Sequence, residues 1–375
     1  MFPLSRNLIS IVIVGMISGM LMVGLYPFDY SPSNQVSILG DGTGIRFYGQ
    51  GEALSTGEFS WPLADYSGQP FTMELHLKPL RTYHESVPHI MSLCDRSGRE
   101  VFYLGQWKSH MVMRLLGESR WSAGKVTKEV GTQDHLHEGK PVSLTFVFGN
   151  GQAKVYADGA LADVYEGFDL TDAMAHRPVR SVILANSSSG EDPWQGEILD
   201  FSIFDRILDP GVIADRYNKT GSGTGVDNPG EIIRYRFDKL SGNTIRNSAG
   251  NGWDLLVPET LTPLRREFLS LPAPDNLHHG WFYKDALVNL AGFIPLGLFL
   301  TLFFAARRRS SRVWTVGLPV TAGFLLSLFI EANQVFLVMR NSSLTDLFLN
   351  TLGTMLGSLL LFRMEIRNWR IENRH

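Results

Sequence analysis

Residues 285–309 read DALVNLAGFIPLGLFLTLFFAARRR, and this stretch decides the architecture. From Ala286 to Ala306 it carries no charge, and Asn289 is its one strongly polar member. A run of this length crosses the hydrocarbon core of a bilayer as a helix, which takes about 20 residues. Arg307, Arg308 and Arg309 close it and, with Arg312, fill the gap before the next apolar run. Lysine and arginine gather on the cytoplasmic side of membrane helices, so this helix runs from outside to inside. Three more apolar runs flank it: Leu8 to Tyr26, Val313 to Ile330 and Leu344 to Phe362. Arg6 precedes the first, and Arg363, Arg367, Arg370 and Arg374 follow the last. Four spans with both termini in the cytoplasm place every one of these groups inside and leave residues 28–284 outside. Trp281, Phe282 and Tyr283 then fall where an interfacial aromatic belt belongs. The first run reads as an uncleaved anchor. It is longer than a signal-peptide core, and Gly24-Leu25-Tyr26-Pro27-Phe28 offers no small-x-small cleavage site.

The 44% hydrophobic content is therefore partitioned toward the two ends, and the exterior stretch between them is polar enough to be a water-soluble domain. A net charge of −3 provides no basic field, which argues against nucleic acid as a partner. The single cysteine, Cys94, excludes an intrachain disulfide and reads as a core residue. The exterior stretch reads as β-structure. Phe71-Thr72-Met73-Glu74-Leu75-His76-Leu77 alternates with the period of two of a half-buried strand. Pro141 to Phe148, Lys154 to Ala157, Ser181 to Leu184, Glu197 to Phe204 and Ile232 to Phe237 predict further strands. Asp158-Gly159, between Val155-Tyr156-Ala157 and Ala160-Leu161-Ala162, predicts a hairpin, because both residues tolerate the positive φ of a type I′ turn. A short helix is expected from Pro210, where Asp209 can cap and proline suits the first helical position. Lys219 to Gly225 reads as a loop.

Trp194-Gln195-Gly196-Glu197-Ile198-Leu199-Asp200-Phe201-Ser202-Ile203-Phe204-Asp205-Arg206-Ile207-Leu208 resembles the closing strand of laminin-G-like, concanavalin A-like domains. The Asp209-Pro210 helix, the Lys154 to Gly159 hairpin, and Ile233 to Gly250 with its Ser241-Gly242-Asn243 turn fit the same resemblance. It implies a two-sheet jelly roll used to bind carbohydrate or protein, in some members with calcium. The expected fold class is mixed: a four-transmembrane-helix α bundle plus an extracytoplasmic all-β jelly-roll sandwich. Residues 1–30 form the first transmembrane helix, 31–276 the sandwich, 281–363 the remaining helices and 364–375 a cytoplasmic tail.

The sequence of the exterior domain shows no catalytic constellation. Related glycanases need two carboxylates on one strand face. Glu197 and Asp200 are three residues apart, an odd offset that a regular strand places on opposite faces. His84-Glu85-Ser86-Val87-Pro88-His89 fails the zinc-protease pattern: its second histidine falls one position late, and Pro88 would interrupt the helix. His135 and His137 read as a solvated loop. No cofactor is evident. Asp158, Asp192 and Asp200 offer oxygen to calcium without defining a site.

The membrane helices carry the denser signal. Asp285-x-x-x-Asn289-x-x-Gly292 recurs as Asp346-x-x-x-Asn350-x-x-Gly353, and positions i, i+4 and i+7 share one helix face. Glu331 and Gln334 end the third span, so they reach the same outer level, where Lys284 and Arg340 add two cations. Ionisable groups at such depth are expensive and mark function by default. Small residues at Gly353 and Gly357, and at Gly15 and Gly19, read as helix packing, as do Asn289 and Asn350 in the alternative. The candidate membrane site comprises Asp285, Asn289, Glu331, Gln334, Arg340, Asp346 and Asn350.

These residues also carry a second resemblance. Lys284-Asp285-x-x-x-Asn289 running into Phe293-Ile294-Pro295-Leu296-Gly297 resembles the VanZ-like family. So does Glu331-Ala332-Asn333-Gln334 through Arg340, Thr345-Asp346 and Asn350-Thr351-Leu352-Gly353. Tyr26-Pro27-Phe28-Asp29 is similar to the end of that family's first helix. The resemblance implies a bacterial cell-envelope protein with the β domain inserted between the first two helices. The family's name comes from teicoplanin resistance, which implies a link to glycopeptide resistance or envelope polysaccharide handling. The expected function is glycan or other ligand binding by the jelly roll, with a lipid-headgroup pocket at the outer leaflet in which Arg340 meets phosphate. The expected partners are the bilayer and a glycan or lipid-linked envelope precursor. Two alternatives remain open: an enzyme acting on a lipid-linked substrate through the Asp/Glu cluster, and a scaffold that binds protein partners. Oligomeric state is not legible.

Overall fold

The computed structural model describes residues 5–40, 42–55, 68–82, 86–117, 125–220, 230–237, 242–250, 253–272, 280–305, 312–338 and 340–372. The chain divides into two compact units, one built from residues 31–265 apart from 120–122, the other from residues 1–30 and 266–375. The His84-Glu85 motif, the loop 221–225, Ser241 and Arg307 to Arg309 lie outside the described residues.

The first unit is a sandwich of two antiparallel sheets. One sheet runs β1 (Val36–Ile38), β2 (Ile45–Tyr48), β13 (Gln195–Phe204), β4 (Phe71–Pro79), β9 (Val142–Gly149), β10 (Gln152–Ala157) and β11 (Ala160–Glu166). β14 (Glu231–Arg236) also joins this sheet through β13. Along one edge β13 pairs with β4, and along the other it pairs first with β2 and then with β14. The other sheet runs β15 (Thr244–Ile245), β16 (Leu255–Leu256), β3 (Ala53–Ser55), β12 (Val179–Leu184), β5 (His89–Asp95), β6 (Glu100–Trp107), β7 (His110–Gly117) and β8 (Lys125–Thr132). Hairpin pairs such as β5–β6–β7–β8 and β9–β10–β11 are joined by pairings distant in sequence, β2–β13–β4–β9 in one sheet and β16–β3–β12–β5 in the other, and these crossovers mark a jelly roll rather than a meander.

Alternation explains the layers. In β4, Phe71, Met73, Leu75 and Leu77 are buried in the core, while Glu74, His76 and Lys78 are only partly buried on the opposite face. Phe146, Phe148, Phe201 and Tyr235 join the core from the first sheet, and Leu93, Phe102, Leu104 and Val182 from the second. Cys94 is buried, as expected of a core thiol. Asp158 and Gly159 both have positive φ, +50° and +78°, and close the β10–β11 hairpin as a type I′ turn. The Asp158 carboxylate also accepts from the Ser143 N–H at 3.0 Å. Two short helices complete the unit. α2 (Leu170–His176) is capped by Asp169, whose Oδ1 accepts from the Asp172 N–H. α3 (Pro210–Thr220) begins at the expected proline and buries Ile213 against Val147, Tyr156, Phe204 and Leu208.

The second unit holds α1 (Arg6–Leu25), α4 (Gly280–Ala305), α5 (Arg312–Gln334) and α6 (Leu344–Glu372). Each contains a span long and apolar enough to cross a membrane. Their surface is apolar: Ile11, Val23, Leu287, Phe329 and Phe348 are all more than half exposed. Their interior combines an apolar cluster that includes Ile9, Phe293, Leu296, Leu300 and Ile330 with small hydroxyl residues, Thr301, Ser327, Thr354 and Ser358, at 0% exposure. The apolar exterior with buried hydroxyls suits a lipid solvent, in which interior hydrogen bonds and close packing join helices. The four hydroxyls bond mostly to their own or neighbouring helices. Ser358 Oγ, for example, donates to Thr354 O at 2.9 Å and to Gly297 O at 3.3 Å.

Glycine sets the closest approach. A Cβ at Gly353 would run into the Leu290 carbonyl, one at Gly357 into that of Ile294, and one at Gly297 into that of Thr354. α4 and α6 are thus parallel and nearly in backbone contact. The order of contacts along α5, Glu331 with Ser343, Ser327 with Asn350, and Gly323 with Thr354, makes α5 antiparallel to α6. Gly292 and the Gly15/Gly19 pair, by contrast, face open space. The two Asp-x-x-x-Asn-x-x-Gly stripes are therefore not equivalent: Gly353 and Asn350 are packed against neighbouring helices, while Gly292 faces open space and Asp285 is exposed.

Candidate functional site

At one end of the helical unit the close of α1, the start of α4, the close of α5 and the start of α6 come together. The seven polar residues expected there are all present, but their roles divide. Gln334 Nε2 donates to Gly24 O at 2.8 Å. Arg340 donates from Nε to Tyr26 O at 2.9 Å and from Nη2 to Val23 O at 3.1 Å. The last carbonyls of a helix lack intrahelical donors and carry the negative end of its dipole. Gln334 and Arg340 therefore terminate α1. Arg340, expected to meet phosphate, has two of its nitrogens committed to this cap.

Glu331 serves the opposite end of α6. Its Oε2 accepts from the Ser343 N–H at 2.7 Å, placing a carboxylate at the positive end of that helix. Ser343 Oγ accepts from the Asp346 N–H at 3.3 Å, as an N-cap does. Ser270 adds a backbone strap: its N–H donates to Ser342 O at 2.9 Å and its carbonyl accepts from the Leu344 N–H at 3.0 Å. Asn350 Nδ2 donates to Ser327 Oγ at 3.0 Å and joins α6 to α5. Asp285, Asn289 and Asp346 remain. The Asp346 carboxylate interacts with the Asn289 amide, Ser343, Asp285 and Arg340. Asn289 Nδ2 is itself buried and finds no hydrogen-bond geometry. Asp285 and Lys284 are exposed in the first turns of α4.

The sandwich carries a second constellation that sequence reasoning discounted. β13 has a bulge at Leu199: Ile198 faces Leu77 of β4, and Asp200, two residues later, faces His76. The extra residue restores phase. Ile198 and Phe201 both enter the core, and Glu197 and Asp200 share the outer face, contrary to the odd-offset expectation. Both acids are held by cations. Glu197 Oε1 accepts from Arg46 Nε at 2.8 Å and from Arg46 Nη2, and its Oε2 accepts from Lys78 Nζ at 3.1 Å. Asp200 Oδ2 meets Arg234 Nη2 at 3.2 Å. Beyond it, Arg216 of α3 pairs with Glu74 at 2.7 Å and Glu231 at 3.3 Å. Burial pushes the Glu74 and Glu231 carboxyls up, against the pull of Arg216 on the first and of Arg234 and Arg216 on the second. Burial also pushes the His76 imidazole down.

Around Glu197 opens a cleft of about 520 Å³, lined by Gly40, Thr43, Arg46, Lys78, Gly139 and Pro141 together with Leu39 and Leu199. The Glu197 side chain is 4% exposed, those of Arg46 and Lys78 36% and 30%. The cations are thus presented to solvent from a buried anchor.

A third group was not legible. His89 Nδ1 lies 3.2 Å from Glu100 Oε1 and 3.0 Å from Ser92 Oγ, and its ring stacks on Tyr103 at 3.6 Å. Burial lowers the His89 pKa, but the charge and hydrogen bond of Glu100 outweigh it and the net shift is upward. Burial raises that of Glu100, and His89 with the Ser188 N–H outweighs it in turn, so the net shift is downward. The pair is nearly sealed from solvent and reads as a structural ion pair. The oxygen donors considered for calcium do not gather. Asp158 caps a backbone N–H, Asp200 pairs with Arg234, and among the described residues no three His, Cys, Asp or Glu side chains converge on a metal position.

Residues 241–365 match the VanZ/LLP1 family model, and residues 55–214 match that of the concanavalin A-like lectin/glucanases superfamily. The first match begins inside the sandwich, taking in β15, β16 and the strap ahead of α4. No curated protein matches the chain. Among solved structures it is similar to the receptor-binding domain of botulinum neurotoxin C/D mosaic serotype (15% identity, 50% of this chain and 45% of that one, TM-score 0.40). It is also similar to that of botulinum neurotoxin type G (16%, 54% and 49%, 0.38). A third is the IT-sialidase carbohydrate module of Ruminococcus gnavus bound to α2,3-sialyllactose (14%, 49% and 98%, 0.35). The chain spans about half the length of the neurotoxin domains it matches.

Proposed function

We propose that this protein is an envelope receptor whose sandwich stands outside the cytoplasmic membrane and binds a glycan in the Arg46–Lys78–Glu197 cleft. The observation that carries this reading is the cleft itself: donors fixed in position on an open sheet face by a buried carboxylate. Preorganised polar groups bind hydroxyl-rich ligands with less ordering cost than free side chains do. The lectin-containing superfamily matched by residues 55–214 supports a glycan as the ligand class. Binding is favoured over hydrolysis because both Glu197 oxygens are engaged by cations, which keeps this carboxylate from protonating a leaving group.

The arginine distribution supports the exterior placement. Arg6 and Arg363 flank their spans at the end opposite the Asp285–Asp346 cluster. At that cluster the membrane unit would engage the head of a lipid-linked ligand, with Asp285, Asn289 and Asp346 meeting sugar hydroxyls or an ammonium. Such a receptor suits envelope polysaccharide handling. The mutual approach of Asp285 and Asp346 favours one second reading, acid–base chemistry on a lipid-linked substrate. In that case Asp346→Asn abolishes function at an unchanged folded level.

The test uses the full chain in lipid nanodiscs against a glycan array, once with calcium and once with chelator. Saturable binding to a defined sugar supports the receptor. Absence of binding under both conditions refutes it and leaves a protein-docking sandwich.

A further inference from the structure

The cleft is charged asymmetrically, and this narrows the class of glycan. Among the described residues that line it, the one carboxylate is Glu197, which is 4% exposed and faces two cations. Arg46 Nε and Nη2 share Oε1, and Lys78 Nζ takes Oε2 at 3.1 Å. Both oxygens are engaged, so Glu197 accepts nothing more from a ligand; it fixes two cations and neutralises one. The guanidinium of Arg46 and the ammonium of Lys78 carry more N–H donors than the Glu197 oxygens and the Tyr48 hydroxyl take up. Both side chains are about one-third exposed. Arg46 is further steadied over the Tyr48 ring, whose Oη lies 3.0 Å from Ser37 Oγ. The walls beside them are low: a Cβ at Gly40 or Gly139 would meet nothing within 4 Å.

We propose, resting on the glycan reading above, that this cleft selects acidic saccharides, and that Arg46 and Lys78 hold the carboxylate or phosphate the sugar carries. An arriving anion compensates the excess positive charge of the described lining and takes the spare N–H donors. Charge-assisted bonds of this kind are the stronger class of hydrogen bond. A neutral sugar leaves the excess positive charge uncompensated.

The experiment measures binding by the full chain in nanodiscs of neutral lipid. The probes are a neutral mannan tetrasaccharide, a galacturonan tetrasaccharide and a mannose 6-phosphate oligosaccharide. The last two separate carboxylate from phosphate as the source of the anion. Expected is at least tenfold tighter binding of one or both acidic probes than of the neutral one, weakening with salt. Arg46→Gln and Lys78→Met should each reduce acidic-probe affinity about tenfold or more. Arg46→Gln leaves a buried carboxylate short of a partner and can unfold the edge, so Thr43→Glu is the companion variant. Thr43 is exposed at the cleft, and a carboxylate there should weaken binding of acidic probes about tenfold in a chain that keeps the wild-type circular dichroism spectrum. Equal affinity for neutral and acidic probes, or acidic binding indifferent to Thr43→Glu, overturns the selectivity while the receptor reading stands. Binding of no probe overturns both.

Discussion

The α4–α6 contact makes a prediction that turns on position rather than residue type. Replacing Gly357 by alanine adds one methyl group. Its Cβ would lie 2.9 Å from the Ile294 carbonyl carbon and 3.0 Å from the Leu298 nitrogen, and closer still to the Ile294 oxygen. Carbon atoms rest at about 3.5–4.0 Å, so the helices must part by roughly 0.6–1 Å. The obstructing atoms are backbone and cannot rotate away. A gap of 0.5–1 Å forfeits about a quarter to a half of each van der Waals contact along the seam. Overpacking of this kind costs about 1–3 kcal/mol, or about a 5- to 150-fold shift toward the unfolded state. Gly292→Ala and Gly19→Ala carry the same methyl into open space. There the better helix propensity of alanine is worth up to about 1 kcal/mol in favour of folding. Denaturation of the full chain in mixed detergent micelles, followed by tryptophan fluorescence, measures all three. Gly357→Ala should unfold at clearly lower denaturant fraction than the wild type, and the other two at the same fraction or higher. Equal loss in Gly357→Ala and Gly292→Ala would refute the argument, because close approach would then not be what distinguishes them.

Arg340→Gln should destabilise the helical unit by about 1–2 kcal/mol, as loss of a cation at a helix C-terminus does, in the same micelle assay. The His89–Glu100 pair gives a pH signature. The His89 pKa is raised in the folded state, so its contribution is complete below its ordinary value, about 6.5, and is lost as pH rises through the folded value. The Glu100 pKa is depressed, so its contribution is present above about 4.3 and is lost as pH falls through the folded value. Melting of the full chain from pH 5 to 9 should show stability falling on the alkaline side, and His89→Gln should remove that fall at a cost of about 3–5 kcal/mol for breaking a buried pair. Topology is read by cysteine labelling. Leu161→Cys, on an exposed strand, should react with an impermeant maleimide in intact cells, and Arg308→Cys only after permeabilisation, with buried Cys94 silent.

The membrane helices were legible because lipid imposes a one-dimensional rule: length and charge suffice to find the spans. The strands of the sandwich followed from alternation, as in Phe71 to Leu77, and the Asp158-Gly159 turn from its φ requirement. The face shared by Glu197 and Asp200 was not legible, because a bulge changes phase without any residue that announces it. Ile198 and Phe201 are both apolar, three apart, and that spacing was the one available hint. The site residues of the helices were found, but their division was not. Arg340, Gln334 and Glu331 bond to atoms of other helices' ends, and a sequence lists side chains, not the carbonyls and N–H groups that lack partners. The His89–Glu100 pair joins two strands through a register that alternation does not specify. Asp169 and Asp172 could have signalled α2, but a seven-residue helix has too little apolar period to be seen.

The donors that close α1 have a consequence for how the chain is made. The partners of Gly24, Tyr26 and Val23 lie 310, 314 and 317 residues further along. At about 5–20 residues per second, the ribosome delivers them roughly 15–60 s after the first helix has emerged. Throughout that interval α1 must rest in the bilayer with its last turn open. Exposed carbonyls are intolerable in hydrocarbon but not at its aqueous boundary. A helix whose capping groups are encoded more than 300 codons later is thus obliged to end where water can stand in for them.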